Sequence, residues 1–327
     1  MELIRRLDAQ GPLAAGTPRS AARGCVVTIG TFDGLHLGHQ ALIARTLRHA
    51  GELQLPALML SFEPMPREFL RPDAPPARLT NFRERWRVLE RSGLDALWLL
   101  GFDARLRAMS GLEFMALLQA AGVRRVVVGH DFRFGHQGEA NAQWCAARAA
   151  EFGFAVDVVD PVEVAGERIS SGAIRTALAM GELARAARLL GRPYSMRGRV
   201  RRGEQLGRRL GYATANIAVH RRRVPLGGIF AVRVHGVPQG AGARGAAADA
   251  WPGVASLGTR PTVNGVAPLL EAHLFGFDGD LYGREIEVEF VQKLREEVKF
   301  DSVDLMLQQI HEDAARARQV LGLQDHS

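Results

Sequence analysis

The sequence contains little cysteine: only Cys25 and Cys145 occur among 327 residues. Two cysteines cannot build a disulfide framework, and neither stands in a C-x-x-C pair or in a Cys/His spacing typical of zinc sites. We therefore expect a reducing compartment and no zinc site.

Long apolar runs are absent as well. The longest, such as LDALWLLGF at 94–102, fall well short of the roughly 20 residues that span a bilayer. The first 20 residues include cations but no apolar stretch of the length found in signal peptides. These absences predict a cytoplasmic protein without a membrane partner.

The overall composition is that of a globular protein, with 47% hydrophobic and 24% charged residues, which excludes a largely disordered chain. At roughly 150 residues per domain, the length favours two domains. Lys and Arg total 42 against 35 Asp and Glu, a net charge of +7, and nearly all of the cations are Arg. The excess fits a phosphate-rich partner, nucleotide or nucleic acid, but a bias toward Ala, Gly and Arg explains it equally well.

Up to about residue 190, compact apolar runs alternate with segments of helical spacing. The predicted buried strands are 26–29, 57–61, 96–100, 126–128 and 155–159. The predicted helices are 40–49, 82–92, 111–121, 140–152, 171–180 and 183–190. This alternation predicts a doubly wound α/β domain with a parallel sheet.

From residue 197 onward the pattern changes to alternating runs separated by Gly- and Pro-rich turns. The runs at 229–237, 253–257, 269–275 and 285–291 predict an antiparallel sheet or small barrel, and a single helix at about 301–321 follows them. We place the domain boundary between residues 186 and 187, close to G-R-P-Y at 191–194. The low-complexity stretch at 239–250 predicts a mobile hairpin loop.

The motif T-I-G-T-F-D-G-L-H-L-G-H at 28–39 follows the first predicted strand and leads into a helix. Its glycines allow a sharp turn and close approach to a ligand, and amides at the helix N-terminus attract an anion. His36 and His39 stand where they can donate hydrogen bonds to a phosphate under attack. There is no Walker A lysine and no G-x-G-x-x-G spacing. A lone histidine would favour capping or packing, but this paired arrangement predicts nucleotidyl transfer.

A second phosphate element is I-S-S-G-A-I-R at 169–175, before a late helix. Ser170 and Ser171 offer hydroxyl donors and a cap, and Arg175, one turn further on, carries a guanidinium that could bind the β- and γ-phosphates of ATP. Alone, the motif is better explained by a serine cap beside a solvated arginine. Beside the H-x-G-H turn, it predicts the opposite side of a phosphate clamp.

Two further motifs lie at strand ends, where ligands bind in open α/β sheets. The segment V-V-V-G-H-D-F-R-F-G at 126–135 projects Asp131 toward the crevice. The segment S-F-E-P-M-P-R-E at 61–68 contains Phe62 and Pro64, and its prolines favour a rigid wall.

The second half has its own candidate site in G-R-V-R-R-G-E-Q-L-G-R-R-L-G-Y-A-T-A-N at 198–216. Gly203 and Gly207 could cradle phosphates. Thr214 and Asn216 alternate on a strand, so their oxygens share a face and could reach one Mg²⁺. A turn-rich strand with an exposed Thr/Asn pair explains this segment better when it is taken alone.

Glu271 is a carboxylate inside the otherwise apolar segment L-L-E-A-H-L-F-G-F. Facing a substrate hydroxyl, it could accept the proton as that oxygen attacks a γ-phosphate. A surface glutamate paired with an arginine is the alternative.

These motifs together resemble the bacterial bifunctional riboflavin kinase/FAD synthetase family. G-x-F-D-G-x-H-x-G-H, V-G-x-D-F-R-F-G, G-R-P-Y, T-A-N, G-T-R-P-T and L-Y-G occur in that family's order, from about residue 28 to 317. The resemblance implies an FMN adenylyltransferase domain of the nucleotidyltransferase α/β type at 1–186. It also implies a riboflavin kinase domain at 187–327, a six-stranded Greek-key barrel with a C-terminal helix.

The resemblance also implies roles for individual residues. In the first domain, His36, His39 and Arg175 would be catalytic. In the second domain, Glu271 would deprotonate the ribityl 5′-hydroxyl of riboflavin, and Thr214 and Asn216 would hold Mg²⁺. The remaining ATP-binding residues would be Gly30, Phe32, Asp33, Gly34, Gly38, Ser170, Ser171, Gly203 and Gly207. The flavin-binding residues would be Phe62, Pro64, Asp131 and Arg295.

Three positions depart from the family pattern, with Met65 in place of His, Gly172 in place of Thr and Ala213 in place of Pro. The first two leave open a riboflavin kinase with a weakened adenylyltransferase half. The basic charge leaves open a flavin-sensing nucleic-acid-binding protein, although a helix-turn-helix, a zinc finger and an aromatic-studded basic sheet are missing. We expect ATP, riboflavin, FMN and FAD as ligands and no nucleic acid, and the oligomeric state stays open.

Overall fold

The computed structural model describes residues 1–5, 24–202, 212–238, 250–262 and 265–323. The chain divides into two compact units. Unit 1 comprises Met1–Pro76 and Arg85–Ser170, and unit 2 comprises Ala77–Glu84 and Ser171–Ser327. Gly203, Gly207 and the predicted loop at 239–249 lie outside the described residues, whereas Ala250 begins a strand.

Unit 1 is built on a parallel sheet. The strands of unit 1 are β1 (Glu2–Ile4), β2 (Cys25–Ile29), β3 (Ala57–Glu63), β4 (Ala96–Gly101), β5 (Val123–Gly129), β6 (Arg133–Phe134), β7 (Ala140–Asn141), β8 (Ala155–Val159), β9 (Glu163–Val164) and β10 (Glu167–Arg168). Six of them form one sheet in the order β1–β4–β3–β2–β5–β8, and every neighbouring pair is parallel. The predicted parallel α/β fold is confirmed.

The helices that accompany this sheet are α1 (Leu37–Leu53), α2 (Pro66–Leu70), α3 (Phe82–Glu90), α4 (Ala104–Ala108), α5 (Gly111–Ala120) and α6 (Ala142–Arg148). The predicted helix at 140–152 is shorter than expected, because Asn141 caps α6 and a 3-10 turn occupies Ala149–Phe152. β1 and α4 were not predicted from the sequence.

The sheet reverses its direction of winding beside β2. The chain continues from β2 to β3 and β4 on one side, then returns to place β5 on the other side of β2. Ligands of open α/β sheets bind outside the carboxyl ends of the strands at such a switch point. The segment that begins at Gly30 leaves β2 at this point, and the segment that begins at His130 leaves β5 there.

Burial follows strand position. All five residues of β2 are buried, as expected for a central strand covered on both faces. β8, by contrast, lies at the edge of the sheet, and its five residues are exposed or half-buried. The expectation that 155–159 is a buried strand was therefore wrong in burial, because β5 is its only neighbour in the sheet.

Unit 2 contains a closed antiparallel barrel. Its elements are α7 (Ser171–Ala179), α8 (Leu183–Leu190), β11 (Ser195–Arg201), β12 (Ala215–Ala218), β13 (Gly228–His235), β14 (Ala250–Thr262), β15 (Gly265–Leu274), β16 (Glu285–Arg295) and α9 (Val303–Leu321). The barrel closes in the order β11–β12–β15–β14–β13–β16, with every neighbouring pair antiparallel. The order β12–β15–β14–β13 is a Greek key, so the predicted six-stranded barrel followed by a helix is confirmed.

Segment 77–84, which ends within the first turn of α3, belongs to unit 2. The Glu84 carboxylate accepts a hydrogen bond from the Arg197 N–H at 2.7 Å and is paired with the buried Arg221 guanidinium. Arg221 also donates to the Leu79 carbonyl at 2.9 Å, and the Tyr194 hydroxyl donates to the same carbonyl at 3.1 Å. This buried network explains why the compact units differ from the two sequence halves. A functional boundary at 186/187 stays a prediction.

Candidate active sites

The segment after β2 is a tightly wound turn, here called the phosphate loop (residues 30–36). Its backbone has positive φ at Phe32 (51°), Gly34 (86°) and Leu35 (45°). Positive φ is unfavourable for Phe and Leu, and such strain persists only where the surroundings enforce it. Both side chains have no exposed surface, and Asp33 between them is 1% exposed. The core therefore holds this loop in one conformation.

Two histidines stand where the phosphate loop enters α1. His36 is the N-cap of α1, and its Nδ1 accepts the His39 N–H at 3.3 Å. The two imidazole rings stack with centroids 3.6 Å apart. A ring nitrogen that accepts a hydrogen bond carries no proton, so neutral His36 carries its proton on Nε2. A Cβ on Gly38 would lie 3.2 Å from His36 Nδ1, so glycine lets the ring lie over this turn.

His39 is held in its neutral form. Burial lowers the pKa of His39 well below its usual value of 6.5, and repulsion from a protonated His36 and from Arg85 lowers it further. Its Nδ1 is a buried nitrogen with no hydrogen-bond partner among the described residues. The Phe32 ring lies edge-on to it at 5.1 Å. The contact of His39 with the ATP phosphates stays a prediction.

The I-S-S segment begins beside this turn within unit 1. Ile169 is buried, and a Cβ on Gly38 would lie 4.0 Å from its Cγ2. Ser170 follows Ile169 and is half-buried. Ser171 and Arg175 belong to α7 in unit 2, where Arg175 Nε donates to the Ala77 carbonyl at 2.6 Å. The grip of Arg175 on ATP phosphates stays a prediction.

The predicted flavin-binding residues of unit 1 lie at the carboxyl ends of β3 and β5. The Phe62 ring packs edge-on against Phe102 at 5.9 Å, and Pro64 follows a cis peptide bond. Asp131 is exposed and forms an ion pair with Arg168 at 2.8 Å. Sequence reasoning did not single out Arg168, because an exposed arginine in a two-residue strand carries no distinctive signal.

Unit 2 contains a cavity of about 620 Å³ beside the T-A-N element. Both predicted metal ligands, Thr214 and Asn216, are half-buried and line it. The loop after β15, at 277–282, also lines the cavity and includes the L-Y-G tyrosine Tyr282. The volume of the cavity lies within the range of small-molecule sites, roughly 300–1,000 Å³.

Glu271 lies next to the T-A-N element. Its Cα is the register partner of the Asn216 Cα across the β12–β15 pair. Ala215 and Ala272 are buried inside the barrel, so Asn216 and Glu271 lie on the outward face and are half-buried. Residues directly opposite on antiparallel strands project to the same side. The structure thus brings together the predicted base and the predicted metal ligands.

Two family models match this chain, FAD synthetase over residues 19–173 and riboflavin kinase over residues 190–321. A relative from Pseudomonas fluorescens is 43% identical over 303 residues, which cover 92% of this chain and 94% of the relative. Relatives from Escherichia coli K12 and Haemophilus influenzae are each 40% identical, over 92% and 97% of this chain and 94% and 98% of their own length. All three are named bifunctional riboflavin kinase/FMN adenylyltransferase. The chain belongs to this family.

A solved structure from Streptococcus pneumoniae, titled a macrolide-efflux protein, has the same fold. It superposes with a TM-score of 0.77 at 31% identity, covering 97% of this chain and 99% of that one. In the described parts of this riboflavin kinase/FMN adenylyltransferase family member, we find no helix that combines the length and apolarity needed to cross a membrane.

The kinase half of this family member contains one polar contact that sequence reasoning missed. His273 Nδ1 donates to the Ala213 carbonyl at 2.9 Å, and its ring lies 5.0 Å from the Tyr212 ring. Burial lowers the pKa of His273. His273 lies two residues after Glu271, hence on the same face of β15, and that spacing was the available signal.

Arg295 is engaged in holding α9 to the barrel. Its Nε and Nη2 donate to the two carboxylate oxygens of Asp313 at 2.9 and 2.7 Å, and Asp313 is 6% exposed. Its Nη1 donates to the Glu296 carbonyl at 2.9 Å. These contacts describe a structural ion pair, and flavin binding by Arg295 stays a prediction.

Proposed function

We propose that unit 2 transfers the γ-phosphoryl group of ATP to riboflavin, and that unit 1 transfers the AMP moiety of a second ATP to the FMN so formed. The products of the two steps are FMN with ADP, and FAD with pyrophosphate. The observation that carries this proposal is the presence, in one chain, of an H-x-G-H turn at the switch point of a parallel sheet and a barrel cavity beside Thr214, Asn216 and Glu271.

In unit 1, a phosphate oxygen of FMN attacks the α-phosphorus of ATP while the bond to the β-phosphate oxygen breaks. The attacking phosphate is already ionised, so the step needs charge stabilisation more than a base. Neutral His36 donates from Nε2, and the amides at the start of α1 add their partial positive charge. We assign Gly30, Phe32, Asp33, Gly34 and Gly38 to the turn that brings these donors to the phosphates.

The departing pyrophosphate needs donors on its other side. Within unit 1, we assign this role to the Ser170 hydroxyl group. Arg175 has a guanidinium of the type that binds phosphate in a bidentate manner, and the roles of Ser171 and Arg175 stay those predicted from the sequence. Phe62, Pro64 and Asp131 lie at the carboxyl ends of the strands and are assigned to the flavin side.

In unit 2, Glu271 accepts the proton of the ribityl 5′-hydroxyl as that oxygen attacks the γ-phosphorus of ATP. Thr214 and Asn216 present a hydroxyl and an amide oxygen at the cavity wall, a set that suits Mg²⁺ because it leaves positions for phosphate oxygens and water. When bound, Mg²⁺ neutralises charge on the transferring phosphates. Riboflavin lies in this cavity with its hydroxyl directed toward Glu271, the register partner of the cavity-lining Asn216.

The test is to incubate the purified chain with riboflavin, ATP and Mg²⁺ and separate the flavins by chromatography. We expect FMN first and FAD later, and FAD directly when FMN is supplied. FMN without FAD would restrict the chain to riboflavin phosphorylation, the outcome that Met65 and Gly172 leave open. No new flavin species in either assay would overturn the proposal.

A further inference from the structure

Arg85 is a buried cation at the base of the phosphate loop. The residue has no exposed surface, and it is among the largest fully buried side chains in the described parts of the chain. Removing a guanidinium from water is costly unless hydrogen bonds and an opposite charge compensate it. The contacts that Arg85 makes therefore indicate what the fold gains from keeping it.

The guanidinium contacts two neighbouring strand ends. Nη1 donates to the Thr31 carbonyl at 2.9 Å and lies 3.5 Å from Ser61 Oγ, while Nη2 lies 3.2 Å from Glu63 Oε2. Thr31 follows Gly30 in the phosphate loop, and Ser61 and Glu63 lie on β3. The planar guanidinium of arginine donates hydrogen bonds to two acceptors at a fixed separation, and the single ammonium of lysine does this less well.

The Thr31 carbonyl is the focus of these contacts. It accepts a second hydrogen bond from Ser61 Oγ at 3.3 Å. Phe32, the next residue, has a positive φ of 51°. Fixing the carbonyl immediately before this residue fixes the entry to the strained turn, and the turn ends at His36, the N-cap of α1.

Arg85 also acts on His39 through its charge. Its positive charge is one of the three causes that lower the pKa of His39, after burial and the charge of His36. The guanidinium thus favours the neutral imidazole in addition to shaping the turn that carries it.

We propose that Arg85 is a positioning residue for adenylyl transfer, whose guanidinium fixes the Thr31 carbonyl and so holds the phosphate loop in the shape that presents His36 and His39 to ATP. This inference rests on the function proposed for unit 1. Arg85 itself is enclosed by protein, so we assign it no direct contact with the nucleotide.

The test compares Arg85→Lys, which keeps the positive charge but lacks the planar guanidinium, with Arg85→Met, which lacks both. Arg83→Lys and Arg83→Met are matched controls, since Arg83 is exposed on the same helix. Each variant is assayed for conversion of supplied FMN to FAD, with kcat and KM for ATP measured across pH. Phosphorylation of riboflavin in the same preparation is the internal reference.

We expect Arg85→Lys to lower kcat for FAD formation by about 100-fold, the scale of a small displacement of catalytic groups. Riboflavin phosphorylation should stay within twofold, and the Arg83 variants should match the parent in both reactions. Arg85→Met should in addition move the acid limb of the FAD-forming activity to higher pH, because losing a nearby positive charge raises the pKa of His39. Arg85→Lys should leave that limb in place.

An Arg85→Lys variant with the parent's kcat for FAD formation would overturn the inference, as would equal loss of both activities. If Arg85→Met does not fold, the lysine variant carries the test alone. A parent chain that forms FMN but no FAD would instead overturn the proposed function of unit 1, and the role of Arg85 with it.

Discussion

Asn216 and Glu271 lie directly opposite each other on the antiparallel strands β12 and β15. The amide of one and the carboxylate of the other therefore share the outward face of the barrel, beside the cavity that Asn216 lines. If Asn216 binds the metal and Glu271 is the base, as proposed, this register would keep the nucleophile, the base and the phosphoryl group close together without a flexible loop between them.

This arrangement predicts the effect of Glu271→Gln. The amide cannot accept the hydroxyl proton, so riboflavin phosphorylation should fall by about 10²- to 10⁴-fold, while FMN supplied directly is still converted to FAD. Both rates are measured by flavin chromatography on one preparation. Glu289→Gln, on β16 and paired with His235, is the control and should retain phosphorylation. A normal phosphorylation rate in Glu271→Gln would show that the base lies elsewhere.

Asn216→Leu should change the magnesium requirement of one reaction. Loss of the amide oxygen should raise the Mg²⁺ concentration for half-maximal riboflavin phosphorylation by about tenfold, equivalent to about 1.4 kcal/mol. Magnesium titration of both reactions checks this, and the requirement for FAD formation should not move. An unchanged titration curve for phosphorylation would remove Asn216 from the metal site.

His36→Asn separates the two roles of His36, which are to cap α1 and to donate a hydrogen bond from Nε2. Asparagine is a good N-cap, so α1 should keep its start and the free energy of unfolding should change by less than about 0.5 kcal/mol. The donor at Nε2 is lost, however, and FAD formation should fall by about 10²- to 10³-fold. Denaturant unfolding and the FMN-to-FAD assay measure the two effects. Full activity in this variant would exclude charge stabilisation by Nε2 of His36.

Burial of neutral His39 predicts a pH dependence of stability. Its folded-state pKa is lowered below 6.5, so the unfolded chain binds more protons than the folded chain in the window just below that pH. The contribution of His39 to stability is therefore present above about pH 6.5 and is lost as the pH falls below it. His39→Phe should reduce the fall in the free energy of unfolding between pH 7 and pH 5. An identical pH slope in parent and variant would contradict this.

Much of the fold could be predicted from the sequence because buried parallel strands are continuous apolar blocks. The segments at β2, β3, β4 and β5 were found for this reason, and the alternation of β16 revealed the barrel. The H-x-G-H turn and the T-A-N element were found because glycine, histidine and paired oxygen donors occur at spacings that chemistry requires.

Arg85 could not be found in this way. Helix α3 reads F-R-E-R-W-R-V-L-E, a charged pattern that indicates a solvated face, and nothing local distinguishes Arg85 from Arg83. Its burial is decided by Thr31 and Glu63, which are distant along the chain. The ion pair between Arg295 and Asp313 in the last helix could not be found either, and flavin binding by Arg295 stays a prediction. Long-range partners, which periodicity does not encode, decide both cases.

The buried pairing of Glu84 with Arg221 limits how this enzyme can be divided. A fragment that starts at residue 187 would contain Arg221 but would lack Glu84, Leu79 and the rest of segment 77–84. In such a fragment the Arg221 guanidinium would be buried without the Glu84 carboxylate, and loss of one partner of a buried ion pair typically costs about 3–5 kcal/mol of stability. Expressing the phosphorylating half alone would therefore require segment 77–84 to be kept with it or replaced.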